Sequence, residues 1–435
     1  CVFMNGGEAA IGLSIKSMLE EAFGPVEVLF MDSAPDVVSR YYPDCHFEPH
    51  LSDVFRKGKR RRLHLERFTS AFRSGRFPSK ADILVASFAR CLTHLGAGEQ
   101  LDWWRTAPDT ETMAEMSRIL ALYRDADLII ATGGTYLVEN YDLKWRIAEL
   151  TKSADLCKPF ILFTQSLGPF NKTENRRKLK VVFDRAKLIL LRDKLSLDHM
   201  LNIGAAVMDS AFVVPDAAFF LHDRVAVDQQ SPLRSEKRSK VGISVREWRH
   251  FRHVPAKVGM QAYINNIRAS VCWLVRHEGL EVEFVSTCQG IEEYWTDDSR
   301  VALAIFEGLD EDVRRHVVVN TSFCRPEELV TRLKTFDFVI STRMHFAILA
   351  LCAGVPVLPI AYEFKTLELF DRIGCRDQVC DIEAMDELPR MLRDFVFGLE
   401  DIAMTQLAGA RREYEDVRRL IGTLRSLLDG PSSVA

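Results

Sequence analysis

Short apolar runs alternate with longer stretches of helical period along most of the chain. Runs at Asp127–Ala131, Phe160–Thr164 and Leu188–Leu191 read as strands, and the segment Glu174–Arg185 between the last two has the spacing of an amphipathic helix. The rhythm resumes with strand Val241–Arg246, helix Met260–His277, strand Val282–Ser286, helix Ser299–Glu307, strand Val317–Val319 and helix Pro326–Thr335. Strands alternating with helices predict an α/β protein whose parallel sheets are covered on both faces. Near the start, Cys1–Asn5 reads as the end of a strand, Glu8–Glu21 as a helix and Val26–Met31 as the next strand. Thr132-Gly133-Gly134-Thr135 reads as a turn into another helix, and Arg411–Leu428 as a long amphipathic helix.

A polar, charged stretch at His222–Lys240 interrupts the rhythm and predicts a linker. The expected organisation is two doubly wound Rossmann-like domains facing across a cleft, residues 1–221 and 241–400. Residues 222–240 join them, residues 401–435 form a C-terminal helix and tail, and an irregular basic insertion covers about residues 50–105.

One stretch, Thr335–Glu368, concentrates chemistry. Phe338–Ile340 predicts a buried strand, Ser341-Thr342 a helix N-cap, Phe346–Ala353 the apolar body of that helix, and Gly354 its stop before strand Val355–Ile360. Arg343 and His345 thereby fall at the carboxyl end of a strand, beside helix N–H groups, where open α/β sheets bind ligands and anions are favoured. The same residues also suit purely structural work, Arg343 in an ion pair and His345 as a cap. Strand ends place Gly133, Gly134, Gln165, Arg192 and Asp216 on one side of the expected cleft, and Arg246, Arg343, His345 and Lys365 on the other.

Composition narrows the class without choosing a reaction. With 47% hydrophobic and 27% charged residues and a formal net charge of -4, the chain has no global basic bias of the kind nucleic acid demands. Its longest uncharged run, Phe346–Tyr362, is broken by Gly354, Pro356 and Pro359, so it predicts a helix and a strand rather than a membrane span. The ten cysteines lack metal-ligand spacing and are expected to be reduced, in a cytoplasmic protein without a structural metal. The basic run Arg56–Arg62 suits a solvated face or peripheral contact with an anionic membrane surface. Trp103-Trp104 suits core packing or stacking on a sugar.

The ordered set of motifs resembles the polysaccharide pyruvyl transferase family. The resemblance is carried by Asn5-Gly6-Gly7-Glu8, Thr132-Gly133-Gly134-Thr135, Gln165-Ser166-Leu167-Gly168-Pro169, Arg192-Asp193 and Asp216-Ala217-Ala218-Phe219. It continues through Gly242–Arg246, Ser341-Thr342-Arg343-Met344-His345, Ala353-Gly354-Val355-Pro356 and Tyr362 with Lys365. It implies a glycosyltransferase-B-like fold and transfer of a pyruvyl group from phosphoenolpyruvate to two hydroxyls of a sugar, as a cyclic ketal. Arg246, Arg343, Met344, His345 and Lys365 would bind the donor. Asn5, Gly6, Gly133, Gly134, Glu139 and Gln165 would face the acceptor, a sugar or lipid-linked oligosaccharide. His345, Arg343 and Asp216 would carry the chemistry, with no cofactor or metal required. The chain departs from the family pattern at Gly7, where an acidic residue is usual, at Thr135-Tyr136 after the glycine pair, and at Ser166 in place of a glycine. The competing readings are a nucleotide-sugar glycosyltransferase of the same architecture and a non-catalytic glycan-binding protein. Oligomeric state is left open by the sequence.

Overall fold

The computed structural model of the protein describes residues 2–61, 110–156, 158–207, 209–222 and 238–428. The N-terminal half opens with helix α1 (Gly6–Phe23) and a parallel pair, β1 (Leu29–Asp32) and β2 (His46–Pro49). Its main sheet holds β3 (Ile129–Ala131), β4 (Gly134–Leu137), β5 (Phe160–Leu167), β6 (Leu188–Leu191) and β7 (Ala211–Val213). The order is β3-β5-β6-β7, with β4 prolonging the β3 edge along β5, and every pairing is parallel. Strands β5 and β6 are buried along their whole length, the fate of an apolar run in a sheet covered on both faces. Helix α2 (Lys194–Asn202) follows β6, and a 3₁₀ helix at Ala217–His222 closes this half.

The second sheet contains β8 (Lys240–Ser244), β9 (Glu281–Phe284), β10 (Val317–Val319), β11 (Phe338–Ser341), β12 (Val357–Ala361) and β13 (Cys380–Asp381). Helix α3 (Pro326–Leu333) leads into β11, α4 (Met344–Cys352) joins β11 to β12, α5 (Phe364–Arg372) follows β12, and α6 (Leu399–Leu428) ends the described chain. The spatial order β10-β9-β8-β11-β12-β13 is the 3-2-1-4-5-6 order of a doubly wound dinucleotide-type sheet. It reverses between β8 and β11. Connections leave that point in opposite directions, so a crevice opens at the carboxyl ends of those two strands.

Helix α4 is apolar all round, and such a helix has no face to give to water. Every one of its residues except His345 is buried. It lies in a core that draws on both halves, with Ile15 and Met18 of α1, Phe163 of β5, Leu190 of β6, Phe219 of the 3₁₀ helix, and Leu420 and Leu424 of α6. Gly354 ends α4 at φ 76°, a left-handed value that a side chain would disfavour.

Several expectations are revised. Residues after Cys1 form a turn, not a strand, because the Phe3 N–H is taken by the buried Asp32 carboxylate (2.8 Å). The segment after Thr132-Gly133 is strand β4 rather than a helix; the helix comes later, at Lys144–Asp155. The N-cap of α4 is Arg343, not Ser341 or Thr342: Ser341 completes β11, and the Thr342 hydroxyl bonds to Tyr263 Oη (2.6 Å). Helix α6 starts at Leu399 and packs back on α1, with Arg425 donating to the carbonyls of Glu21 and Ala22. The backbone of the basic stretch is helical over Leu51–Arg61, and Arg56 pairs with Asp53 (3.4 Å). Trp103-Trp104 and most of the expected linker lie outside the described residues.

Candidate active site

The crevice residues arrive on strand ends and helix starts. His345, on the first turn of α4, places Nε2 3.3 Å from Asp216 Oδ2, at the entry to the 3₁₀ helix. Arg192, directly after β6, donates to the same oxygen (2.5 Å), and its Nη1 lies 3.4 Å from His345 Nε2. Both members of the Arg192–Asp216 pair are buried. Burial alone would raise the Asp216 carboxyl, but Arg192 and then His345 outweigh it and hold it well below the usual carboxylate range. The other face of the His345 ring meets α1. A Cβ at Gly7 would lie 2.4 Å from His345 Nδ1, so glycine is what admits the ring.

Thr135 of β4 links this cluster to α5. Its hydroxyl accepts from Arg192 Nη2 (3.0 Å) and from Lys365 Nζ (3.4 Å). Lys365 also pairs with Glu363 (2.7 Å). Burial works against its charge, but Tyr362 and Glu363 more than compensate, and the ammonium is held above its ordinary value. Ser166, which replaces the usual glycine, accepts from Arg192 Nε (3.2 Å) and donates to Asp193 (2.7 Å), the N-cap of α2. Met344 is buried behind these groups and, with Arg192, Asp216 and Lys365, lines a cavity of about 20 Å³, room for one water.

The two expected donor arginines differ. Arg343 forms a bidentate ion pair with the buried Asp298, Nε to Oδ2 at 2.8 Å and Nη2 to Oδ1 at 2.6 Å. Arg246, beyond β8, lies over the Tyr362 ring at 4.0 Å and the Trp248 ring at 5.2 Å. Its Nε donates to the Glu247 carbonyl (3.2 Å), and among the described residues no carboxylate stands within ion-pair distance of it. Tyr362 therefore has Arg246 on its ring and Lys365 5.6 Å from its centroid.

The expected acceptor residues divide into framework and rim. Asn5 caps α1 through the Gly7 N–H (3.0 Å), and the Gly6 N–H is tied to the Thr287 carbonyl (2.8 Å). Gly133 sits so close to β5 that a Cβ would lie 2.5 Å from Thr164 Oγ1, while Gly134 holds φ at 151°. Thr164 itself takes a left-handed φ of 50°, and β5 slips its register on β6 at this point. Gln165 is fully buried and spends its amide on the Ala131 and Thr132 carbonyls and Tyr136 Oη (2.7 Å), so it shapes the glycine turn from beneath. Glu139 accepts from the Asn171 and Lys172 N–H groups (2.8 and 3.0 Å) and from Asn175, which places its carboxylate on the helix at Thr173–Arg185. The acidic residue looked for at Gly7 stands one position later: Glu8 has its carboxyl pushed up by burial. Sequence reasoning quoted Glu8 and Thr135 within glycine-rich motifs without giving them a role, and it missed Asp298, which carries no local signal.

Residues 5–363 match the family Polysaccharide pyruvyl transferase. The chain belongs to this family. Amylovoran biosynthesis protein AmsJ of Erwinia amylovora is 26% identical over 271 residues. The match takes in 60% of this chain and 62% of AmsJ, less than two thirds of that relative. Among solved structures, a protein assigned as UDP-N-acetylglucosamine 2-epimerase from Listeria monocytogenes is similar over 97% of this chain and 93% of its own, at 12% identity and a TM-score of 0.54. S. aureus MnaA with UDP is similar over 98% and 95%, at 12% identity and a TM-score of 0.53. At this identity the likeness is one of fold, a glycosyltransferase-B-like arrangement. Among the described residues no group of His, Cys, Asp and Glu converges to hold a metal, and no helix is long and apolar enough to cross a membrane.

Proposed function

We propose that the protein transfers a pyruvyl group from phosphoenolpyruvate to two hydroxyls of a saccharide in surface-polysaccharide synthesis, forming a cyclic ketal. The observation that carries this reading is a cationic crevice at the β8/β11 reversal with a His–Asp pair at its wall. Among the described residues Arg246 stands within ion-pair distance of no carboxylate, so its guanidinium is available to a small polyanion, and Lys365, held charged, lies near it on the Tyr362 ring. A proton delivered to the methylene carbon makes C2 an oxocarbenium-like centre. One sugar hydroxyl attacks C2 and gives up its proton, phosphate departs with the C–O bond pair, and the second hydroxyl closes the ring. Of the two protons released, one replaces that added to the methylene and the other leaves as monohydrogen phosphate. His345, oriented by Asp216, handles this proton traffic. Arg192 keeps Asp216 ionised, and the cations stabilise the leaving phosphate.

The C-terminal half, residues 241–400, supplies the donor side, and residues 1–221 the acceptor side through the turns at Asn5-Gly6 and Gly133-Gly134. The acceptor is a sugar or lipid-linked oligosaccharide at the cytoplasmic face of a membrane, and no cofactor takes part. The test is a comparison of thermal midpoints with phosphoenolpyruvate and with nucleotide sugars, followed by phosphate release in the presence of saccharide acceptors. Phosphoenolpyruvate is expected to raise the midpoint, since a ligand of the native state stabilises it. Stabilisation by nucleotide sugars alone refutes the reading.

A further inference from the structure

The Asp298 side chain makes no bond to its own helix. It stands at the N-cap of Ser299–Glu307 without a side-chain capping bond, and the Ser299 N–H is taken by Asp297 instead (3.0 Å). Aspartate is favoured at N-caps because its carboxylate satisfies a helix N–H. Here the carboxylate turns to Arg343, with Nε and Nη2 at 2.8 and 2.6 Å, and the Ser286 hydroxyl donates to the same Oδ2 that meets Nε. Its own N–H is fixed on the Cys288 carbonyl (2.8 Å), and Asp298 is 1% exposed. A residue that forgoes the local bond and is held from several sides is set to orient its partner.

A guanidinium carries five coplanar N–H groups. Asp298 occupies the side-on pair, Nε and one hydrogen of Nη2. That leaves the end-on pair, one hydrogen from each terminal nitrogen, and the second hydrogen of Nη1. We infer that Asp298 is the positioning residue of the donor site. It fixes Arg343 so that the end-on edge meets the anionic group of the donor in the β8/β11 crevice. It also cancels the arginine's charge, so that Arg343 supplies direction while Arg246, with no carboxylate partner among the described residues, supplies net positive charge. This rests on the donor reading above.

The test is titration calorimetry of phosphoenolpyruvate with the full chain, its Asp298→Asn and Arg343→Lys variants, and the double variant. Each single change is expected to weaken binding by roughly tenfold or more, the scale of a misplaced contact. Because Asp298 acts through Arg343, the double variant is expected to bind within about twofold of Arg343→Lys. Losses that multiply across the cycle overturn the inference, as does wild-type affinity in folded Asp298→Asn. If Asp298→Asn does not fold, Ser286→Ala loosens the same carboxylate while keeping the ion pair, and is expected to weaken binding by about threefold; unchanged affinity there overturns the inference. A wild-type protein that fails to bind phosphoenolpyruvate overturns the donor reading and this inference together, a result seen before any substitution is made.

Discussion

Gly7→Ala sets two effects of opposite sign against each other. Inside a helix, alanine is better than glycine by about 0.5–1 kcal/mol, and α1 alone would gain from the change. The new Cβ, however, falls 2.4 Å from His345 Nδ1, 2.7 Å from Cγ and 2.8 Å from its Cβ. Ordinary contact needs about 3.5 Å, so ring or helix must give by about 1 Å. The ring has little room to retreat, because Nε2 is held between Asp216 and Arg192 and the rest of α4 is buried. Overpacking of this kind costs about 1–3 kcal/mol, which exceeds the helix gain. A proton-transfer group displaced by about 1 Å loses up to roughly 100-fold in turnover. Gly422→Ala in α6 is the control, since nothing beyond the adjoining backbone of its own helix lies within 4 Å of the Cβ it would add. The control is expected to raise the urea midpoint, and Gly7→Ala to lower it and to reduce phosphoenolpyruvate-dependent phosphate release. Gly7→Ala with a raised midpoint and unchanged turnover refutes the contact between α1 and His345.

His345→Gln is expected to cut turnover by about 100-fold or more while donor affinity, measured by calorimetry, changes much less; wild-type turnover leaves the histidine a structural partner of Asp216. Arg246→Ala removes a cation that has no carboxylate partner among the described residues, so the KM for phosphoenolpyruvate is expected to rise by roughly tenfold to 100-fold at an unchanged melting temperature. An unaltered KM in that stable variant sets Arg246 outside the donor site. Burial would raise the Glu149 carboxyl, but His50, then Tyr123 and Ser52, bring it down from 4.5 to about 2. The unfolded chain therefore binds more protons between those values, and the stabilisation, complete above about pH 4.5, is lost as pH falls towards 2. Urea midpoints of Glu149→Gln are expected to fall less steeply over that range than those of the wild type; parallel curves refute the assignment.

The central strands of both sheets were readable because covered parallel strands are unbroken apolar runs, as in Leu188–Leu191 and Phe338–Ile340, and need no tertiary information to be seen. Strand β4 was not readable. Its Gly134-Thr135-Tyr136-Leu137 has neither length nor alternation, and it extends only because β5 offers an edge beside it. Arg343 and His345 could be placed from strand and helix boundaries alone. Their partners Asp298 and Asp216 could not be matched to them, since an ion pair leaves no pattern across the 45 residues from Asp298 to Arg343. Gln165 and Glu139 show the converse. Position put them near the crevice, whereas their hydrogen bonds turn them towards the framework.

The core shared by the two halves limits how this architecture can be recombined. Tyr414, Val417, Leu420, Ile421 and Leu424 of α6 are covered in a cluster with α1 and the 3₁₀ helix of the opposite half. Lys187 also reaches across to the Leu427 carbonyl (2.6 Å). Expressed as separate polypeptides, each half would present a sticky strip to solvent, and the pair would find each other or precipitate. A new N-terminal half cannot simply be grafted from an unrelated protein, because it must bring a surface complementary to α6. Divergence within this architecture is thereby channelled into the turns at the crevice rim, which can vary without renegotiating that seam.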